Sequence, residues 1–279
     1  MIAVLKQIIS ASRRTDLPRW FLPEVMQWFG QGFVDVPNPF SGRISRVDLT
    51  PDAVHSIAWW SKDFSRWLKN AEYFDAYTNS FQFTINAEQG TFLEPGLSSS
   101  LEERIDQFHD LAGRYGANAI NWRFDPIVFW NGGQENNLSK FDFIAGQLAR
   151  AGIARMTFSF ATWYGKCMKR AKRHNFAYSE PSADQKYQTL FKLAKLCENL
   201  GIEMHGCCNP DLENMGIPNV AMGRCIDGEV LSGLAGKGST TQQDTGQREA
   251  CRCTRSRDIG RYDFECKHGC LYCYANPRV

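Results

Sequence analysis

Short runs of β-branched and aromatic residues alternate with amphipathic stretches between residues 7 and 206. Runs of this kind predict buried strands, and apolar stripes at helical spacing predict the helices between them. A chain in which strands and helices alternate is expected to form a parallel α/β architecture. The predicted strands cover residues 7–12, 33–36, 44–49, 55–60, 81–86, 119–124, 155–160 and 202–206.

Two of the helices have clear start signals. Ser100 with Glu103, and Ser182 with Gln185, have the spacing of a capping box, in which each side chain binds a backbone amide of the first turn. Asp16 is a candidate cap for an earlier helix. The predicted helices cover residues 17–29, stopped by Gly30, then 101–115 and 141–148, ending near Gly152. The last opens at Ser182, has its apolar stripe over residues 187–197 and stops at Gly201.

Polar residues gather where the predicted strands end. In a βα barrel this rim carries the ligands and the catalytic groups. No GxGxxG turn follows the first strand, so we predict a full or partial βα barrel of the TIM type and not an open dinucleotide-binding sheet. The polar strand-end residues are Ser12, Arg13, Arg14, Thr15, Asp16, Asn38, Asn86, Arg123, Asp125, Thr162, His205 and Cys207. Residues 38–42, between the second and third strands, are typical of a hairpin loop.

The composition narrows the class of protein. The 279 residues fit one large domain, or one domain with an appendage. A formal net charge of +2 gives no general attraction to nucleic acid or to an anionic membrane. No apolar run reaches the roughly 18 residues of a membrane span, and residues 1–10 lack the features of a signal peptide. We therefore expect a cytoplasmic protein.

The pattern changes after residue 207. Residues 231–250 are rich in glycine, serine, threonine and glutamine, which is typical of a flexible connector. We predict a barrel domain over residues 1–207, an irregular connector over 208–250 and a cysteine-rich iron–sulfur segment over 251–279.

The ten cysteines are unevenly distributed, with none before Cys167 and five between Cys251 and Cys273. Clustered cysteines in a reducing compartment are more often metal ligands than disulfides. Cys266, Cys270 and Cys273 have the spacing CxxxCxxC, which suits three irons of a 4Fe–4S cluster and leaves the fourth iron open. The alternative is a closed zinc site, in which Cys251 and Cys253 join two of these three.

This spacing, with an aromatic residue just before the third cysteine, resembles the signature of the radical S-adenosylmethionine (SAM) superfamily. The resemblance implies that SAM binds the open iron and is cleaved reductively to a 5′-deoxyadenosyl radical. It also implies an electron donor such as flavodoxin or ferredoxin. The motif lies at the C-terminus, and together with residues 10–16, 123–126 and 270–275 it resembles the bacterial family called domain of unknown function 1848. The Tyr-Cys-Tyr element of residues 272–274 resembles spore photoproduct lyase, a DNA-repair enzyme.

The other cysteines allow a second site. Cys208, Cys225, Cys251 and Cys253 are candidate ligands of an auxiliary iron–sulfur cluster or a zinc ion, and the alternative is that they are free thiols. Two further cysteines are not assigned to metal. Cys197 lies on an apolar helical stripe and is expected in the core, and Cys167, among basic residues that would favour its thiolate, is interpreted as a surface thiol.

Six residues complete the predicted cofactor and catalytic site. Arg13 and Arg14 are suited to clamping a carboxylate or phosphate. Arg123 and Asp125 are candidates for holding the methionine end or the ribose of SAM, and as such are the predicted catalytic residues; an internal ion pair is the alternative. Ser12 and Tyr272 are further candidate cofactor contacts, and Tyr272 would also shield the cluster. Asp16 is assigned to structure.

Three other features have a functional and a structural interpretation. The basic run Lys166, Lys169, Arg170, Lys172, Arg173 and His174 could meet phosphates, but such a run is usually a solvated face. His205 could ligate metal or move a proton, and a hydrogen-bonded barrel histidine is the alternative. Trp59, Trp60, Trp122 and Trp163 either line a pocket or belong to the core.

These features together predict an iron–sulfur enzyme of the radical SAM type, an oxidoreductase or lyase acting on an unidentified small molecule or nucleotide. Two other hypotheses stay open. One is a zinc-stabilised binding module without catalysis, and the other is a nucleic-acid repair enzyme of the spore photoproduct lyase type.

Overall fold

The computed structural model describes residues 6–38, 41–86 and 90–275. Positions 39 and 40 of the predicted hairpin loop, and positions 276–279 of the cysteine-rich segment, lie outside the described residues. The strands of the described part are β1 (Gln7–Ala11), β2 (Phe33–Pro37), β3 (Ile44–Asp48), β4 (Val54–Ser61), β5 (Asn79–Thr84), β6 (Ile120–Ile127), β7 (Phe129–Trp130), β8 (Glu135–Asn136), β9 (Arg155–Phe160), β10 (Tyr178–Ser179), β11 (Glu203–Gly206), β12 (Val220–Met222) and β13 (Arg257–Asp258).

The helices lie between these strands, as the alternating pattern predicts. They are α1 (Leu17–Trp20), α2 (Leu22–Gln31), α3 (Ser65–Leu68), α4 (Leu101–Tyr115), α5 (Phe141–Arg150), α6 (Gly165–Arg173), α7 (Ala183–Asn199), α8 (Leu212–Met215) and α9 (Gly228–Ala235). No helix in the described ranges is both long and apolar enough to cross a bilayer.

Eight strands form one parallel sheet in the order β12-β11-β9-β6-β5-β4-β1-β13. From β1 to β12 the neighbours follow chain order, and β13 then pairs on the free side of β1. The two edge strands, β12 and β13, are not paired with each other in the part of the chain that the structure describes, so the sheet is not closed. The α/β class is confirmed, and a closed barrel is not.

The two faces of the sheet differ in chemistry because successive side chains of a strand point to opposite sides. On β6, Trp122 and Phe124 pack against Phe141 of α5, with ring centroids 5.4 and 5.0 Å apart. The alternate residue Asn121 donates to Gln82 of β5 (2.7 Å) and to Thr157 of β9 (2.8 Å). The sheet therefore has an apolar face under the helices and a buried polar face.

The polar face is covered by the segment that follows β11. Cys225, Ile226 and Leu231 of this segment, with Cys251 and Cys253, pack against Ile8 and Ala58 of the sheet. The connector predicted over residues 208–250 contains β12 and α9, which the sequence did not predict. Asp227 starts α9 by accepting from the amide of Glu229 (3.0 Å), although Gly228 obscures the helical pattern.

The start signals of the longer helices are confirmed. Both capping boxes form, at Ser100 and at Ser182, and Asp16 caps α1 by accepting from the Arg19 amide (3.0 Å). The single helix predicted over residues 17–29 is wrong, since Phe21 separates α1 from α2 and α2 continues past Gly30 to Gln31. Pro23 has no amide hydrogen to donate, so it is accommodated in the first turn of a new helix.

Outside the main sheet, β2 and β3 pair antiparallel, as predicted. The small sheet β10-β7-β8 was not predicted, because strands of two residues leave no periodic signal.

Candidate functional site

The C-terminal tail, residues 266–275, lies across the carboxyl edge of the parallel sheet. Asp16 follows β1 and Lys62 follows β4, and the ends of parallel strands meet at this edge. The tail is bound there by His268, whose Nε2 lies 2.9 Å from an Asp16 carboxylate oxygen. Its Tyr272 hydroxyl donates to Glu94 and accepts from Asn86, which follows β5 (3.4 Å).

Arg170 of α6 fixes the backbone of the cysteine loop. Its Nη1 donates to the carbonyls of Cys270, Leu271 and Cys273, each at 3.0 Å. Arg170 is only 1% exposed, so the interpretation of the whole basic run as a solvated face is wrong at this position. The guanidinium is buried because three carbonyls of the tail compensate its lost hydration.

Two backbone hydrogen bonds hold the same loop against the turn after β5. The amide of Leu271 donates to the Leu93 carbonyl (2.9 Å), and the amide of Gly96 donates to the His268 carbonyl (2.9 Å). Between the first two cysteines, Gly269 has a φ of +64°, the left-handed conformation that favours glycine. These contacts position the backbone of the loop.

The three thiols of the loop differ in exposure but influence one another electrostatically. Burial raises the pKa of Cys266 to about 12. Burial, together with the negative charge of Glu94, also raises the pKa of Cys270, and the charges of Cys273 and Cys266 add to this effect. A cation bound between these sulfurs would favour their ionised form.

The donor set of the tail suits iron–sulfur ligation, but the ligand shell is not already assembled. Three thiols on one short loop are the soft ligands that iron–sulfur clusters take. Across residues 6–38, 41–86 and 90–275, however, no three or more His, Cys, Asp or Glu side chains are arranged to hold a metal ion. Iron–sulfur binding by Cys266, Cys270 and Cys273 therefore stays a prediction that rests on the chemistry of the residues.

A buried polar network that the sequence did not reveal adjoins Cys270. Lys62 Nζ lies 2.9 Å from Glu94 Oε1 and 2.9 Å from Asn86 Oδ1. Burial acts to raise the pKa of Glu94, but the Lys62 charge and the Tyr272 hydroxyl bring it below its ordinary value. Glu94 Oε2 is buried without a hydrogen-bond partner, so this carboxylate can still accept from an ammonium or hydroxyl group. The sequence singled out Asn86 and Tyr272 of this network, but it did not single out Lys62 or Glu94.

A second group of cysteines lies further along the same edge. Cys207 follows β11, Cys225 follows β12, and Cys251 and Cys253 precede β13. The sulfurs of Cys225 and Cys207 are 3.2 Å apart, and Cys225, Cys251 and Cys253 belong to one buried cluster against which Cys207 and Cys208 pack. The predicted set named Cys208, whereas the residue in contact with Cys225 is Cys207.

Arg123 joins this cysteine group to Asp125. Its Nη1 donates to Cys225 Sγ (2.8 Å), and its Nη2 pairs with Asp125, whose other oxygen accepts from Ser159. Burial opposes the charge of Arg123, but Cys225 and Asp125 raise its pKa well above the ordinary value. The internal ion pair considered from the sequence is therefore present.

The other predicted cofactor residues also have internal partners. Ser12 Oγ accepts from the amide of Arg14 (2.8 Å), and Arg14 Nη1 donates to the Gly260 carbonyl (2.9 Å). A Cβ at Gly260 would lie 1.8 Å from Ser12 Oγ, so this approach requires glycine. Arg13 Nη1 donates to Ser256 (3.2 Å), while its Nη2 is buried without a hydrogen-bond partner.

Two thiol predictions have different outcomes. Cys197 is buried in the core as predicted, and burial raises its pKa to about 12. The interpretation of Cys167 as a surface thiol is wrong: it is fully buried beside the tail, where its Sγ lies 3.5 Å from the Tyr272 carbonyl. Burial raises its pKa, despite the nearby charge of Arg170.

The remaining candidates are dispersed. Trp59 and Trp122 belong to the core, and Trp163 is buried against Tyr178. Trp60 lies nearer the site, with its ring centroid 4.9 Å from the Arg123 guanidinium. His205 Nε2 lies 3.4 Å from a Glu203 carboxylate oxygen, and the ring borders a separate polar cavity of about 230 Å³. The other residues lining this cavity include Arg155, Arg224 and Asp227.

Comparison with known proteins gives one positive result. Comparison with curated proteins found no match. The sequence profile described as domain of unknown function 1848 matches residues 8–275, which is nearly the whole chain and includes both cysteine groups. The chain therefore belongs to the family of domain of unknown function 1848.

Proposed function

We propose that this protein is an iron–sulfur enzyme of the radical SAM type, with a 4Fe–4S cluster on Cys266, Cys270 and Cys273. The observation that carries the proposal is the way the chain holds the loop. A buried arginine and two backbone hydrogen bonds fix it at the carboxyl edge of a parallel sheet. Ligands of parallel α/β proteins bind at this edge.

Three protein thiolates leave one iron of a cubane without a protein ligand, and that open position is what the proposed activity requires. When bound, the cluster and SAM would supply reductive cleavage and hydrogen abstraction. Glu94, beside Cys270, would accept from the amino group of SAM through its unpaired Oε2. Arg13, through Nη2, is the corresponding donor for a carboxylate.

The strand order supports a further part of the proposal, namely that the scaffold is an opened βα barrel. Seven strands follow one another in chain order and β13 returns beside β1, which is the order of a βα barrel opened between β12 and β13. We propose an open barrel whose polar face is covered by the segment from Cys207 to Cys253. An external electron donor of the flavodoxin or ferredoxin class, and a small-molecule or nucleotide substrate, belong to this proposal.

The nucleic-acid repair hypothesis now depends on fewer residues. Arg170 is committed to the tail, and the exposed cations of α6 are Lys166, Lys169, Lys172 and Arg173. DNA or RNA binding that is lost when Lys169 and Arg173 become alanine, with the tail still in place, would favour that hypothesis.

Iron analysis tests the proposal. Anaerobically purified and reconstituted protein should be brown and contain about four irons per chain. Adding SAM should change the electron paramagnetic resonance spectrum of the reduced cluster, because the ligand reaches the open iron. Replacing Cys266, Cys270 and Cys273 together by alanine should abolish iron binding, whereas Cys197→Ala, which removes a thiol from the core, should not. A colourless protein that holds only zinc would contradict the proposal.

A further inference from the structure

We infer that Cys207, Cys225, Cys251 and Cys253 form a second, closed metal site that takes a single tetrahedral ion of the zinc class. This site is separate from the cysteine loop of the tail and would exist even if the tail bound no cluster. The sequence left open whether a second site exists, which cysteines form it and whether it takes a cluster or one ion.

The first argument is convergence. The four thiols come from three separate stretches of chain: the end of β11, the loop after β12 and the approach to β13. The sulfurs of Cys207 and Cys225 are 3.2 Å apart, and Cys225, Cys251 and Cys253 belong to one buried cluster against which Cys207 packs. Cys208 packs against the same cluster, but the sulfur that lies beside Cys225 Sγ is that of Cys207.

The second argument is charge. Four thiolates around a divalent ion have a net charge of about −2, which is unfavourable in a buried site unless cations compensate it. A buried guanidinium meets part of this requirement, since Arg123 Nη1 donates to Cys225 Sγ at 2.8 Å. Apolar packing alone would explain the buried thiols of Cys225, Cys251 and Cys253, but it would not explain a buried arginine directed at one of them.

The third argument is spacing, which separates one ion from a cluster. A Zn–S bond of about 2.3 Å places the sulfurs of a tetrahedral site about 3.8 Å apart. The 3.2 Å between the sulfurs of Cys225 and Cys207 is slightly shorter than this value, and two sulfurs this close favour one shared ion over a cubane, whose ligands bind separate irons. Among the described residues the thiols form a chain and do not yet surround a point, so metal binding requires rotation about their Cα–Cβ bonds.

A closed four-thiolate site implies a structural role. The ion would cross-link the end of β11, a strand of the sheet, to the loop after β12 and the approach to β13, which help to cover the polar face. It would also fix Cys225, and with it the Arg123–Asp125 pair. No coordination position would remain open for a substrate, in contrast to the three-cysteine loop.

Metal analysis of full-length variants tests this inference. Wild-type protein prepared with both metals available should contain about one zinc per chain besides its iron. The variant with Cys266, Cys270 and Cys273 replaced by alanine should lose the iron and keep the zinc. The double variant Cys225→Ser/Cys253→Ser should lose the zinc, and Cys208→Ser should keep it. This separation makes failure of the second site distinguishable from failure of the proposed function.

A spectroscopic probe covers the case in which the double variant does not fold. Wild-type protein depleted of zinc and titrated with Co²⁺ should show the intense visible absorption of a tetrahedral thiolate complex at one equivalent. Absence of zinc and of this absorption from the wild-type chain would overturn the inference. A disulfide between Cys207 and Cys225 in protein prepared without oxygen would also overturn it. If the variant without Cys266, Cys270 and Cys273 retained both iron and sulfide, the second site would hold a cluster and not a single ion, and the inference would be overturned.

Discussion

Replacing Arg170 with methionine removes the side chain that fixes the cysteine loop while keeping a long apolar stem. The three carbonyls of Cys270, Leu271 and Cys273 would each lose a hydrogen bond to a charged donor. Such bonds are worth about 1.5–3 kcal/mol each, and they are not fully additive because the freed carbonyls relax together. We therefore expect docking of the tail to weaken on the order of 4 kcal/mol.

Amide hydrogen exchange measures this loss directly. The Leu271 amide is bonded to Leu93 only while the tail is docked, so its protection reports the docking equilibrium. A change of about 4 kcal/mol corresponds to a fall in protection on the order of 1000-fold. Iron content should fall with it.

The matched control is Arg173→Met, on the same helix but exposed. It should leave both the protection of Leu271 and the iron content unchanged. If Arg170→Met reduces protection by less than about tenfold and keeps its iron, the loop is held by something other than this arginine.

Three further predictions concern stability, each measured by denaturant unfolding. Glu94→Gln breaks the buried pair with Lys62, so we expect about 2–4 kcal/mol lower stability at neutral pH. Because folding lowers the pKa of Glu94, its contribution to the free energy of unfolding is present above the unfolded pKa and disappears as pH falls through the folded pKa. The stabilities of the variant and the wild type should therefore converge in acid. A difference that stays constant with pH would contradict this. Gly260→Ala should cost about 1–3 kcal/mol through its clash with Ser12, and an unchanged stability would show that the segment can shift. Ser100→Ala should cost about 1 kcal/mol as a lost helix cap.

Local signals made much of the fold predictable. The capping box at Ser100 and the stripe that follows it depend only on neighbours within a few residues, so the sequence predicts α4 with its observed bounds. The strands β12 and β13 have three and two residues, too few for any periodicity. They exist because β11 and β1 offer free edges, a tertiary property that no local pattern encodes.

The site was predictable in its chemistry and not in its geometry. Cysteine spacing identifies the three-thiol loop but does not define the second group, and choosing Cys207 over Cys208 requires knowing which side chain faces Cys225. Similarly, the sequence shows Arg170 only as one cation in a basic run. Its role depends on a contact with the tail, which lies about a hundred residues later in the chain. Contacts between residues so far apart in the sequence depend on the whole topology. The sequence therefore could not show which cations of the basic run bind the tail and which face solvent.

Incubation of reconstituted, chemically reduced protein with SAM tests the central claim most directly. We predict formation of 5′-deoxyadenosine, dependent on Cys266, Cys270 and Cys273, and unaffected by Cys197→Ala. Full iron loading of the tail site without any 5′-deoxyadenosine, even in the presence of candidate substrates, would contradict the assignment of this chain as a radical SAM enzyme.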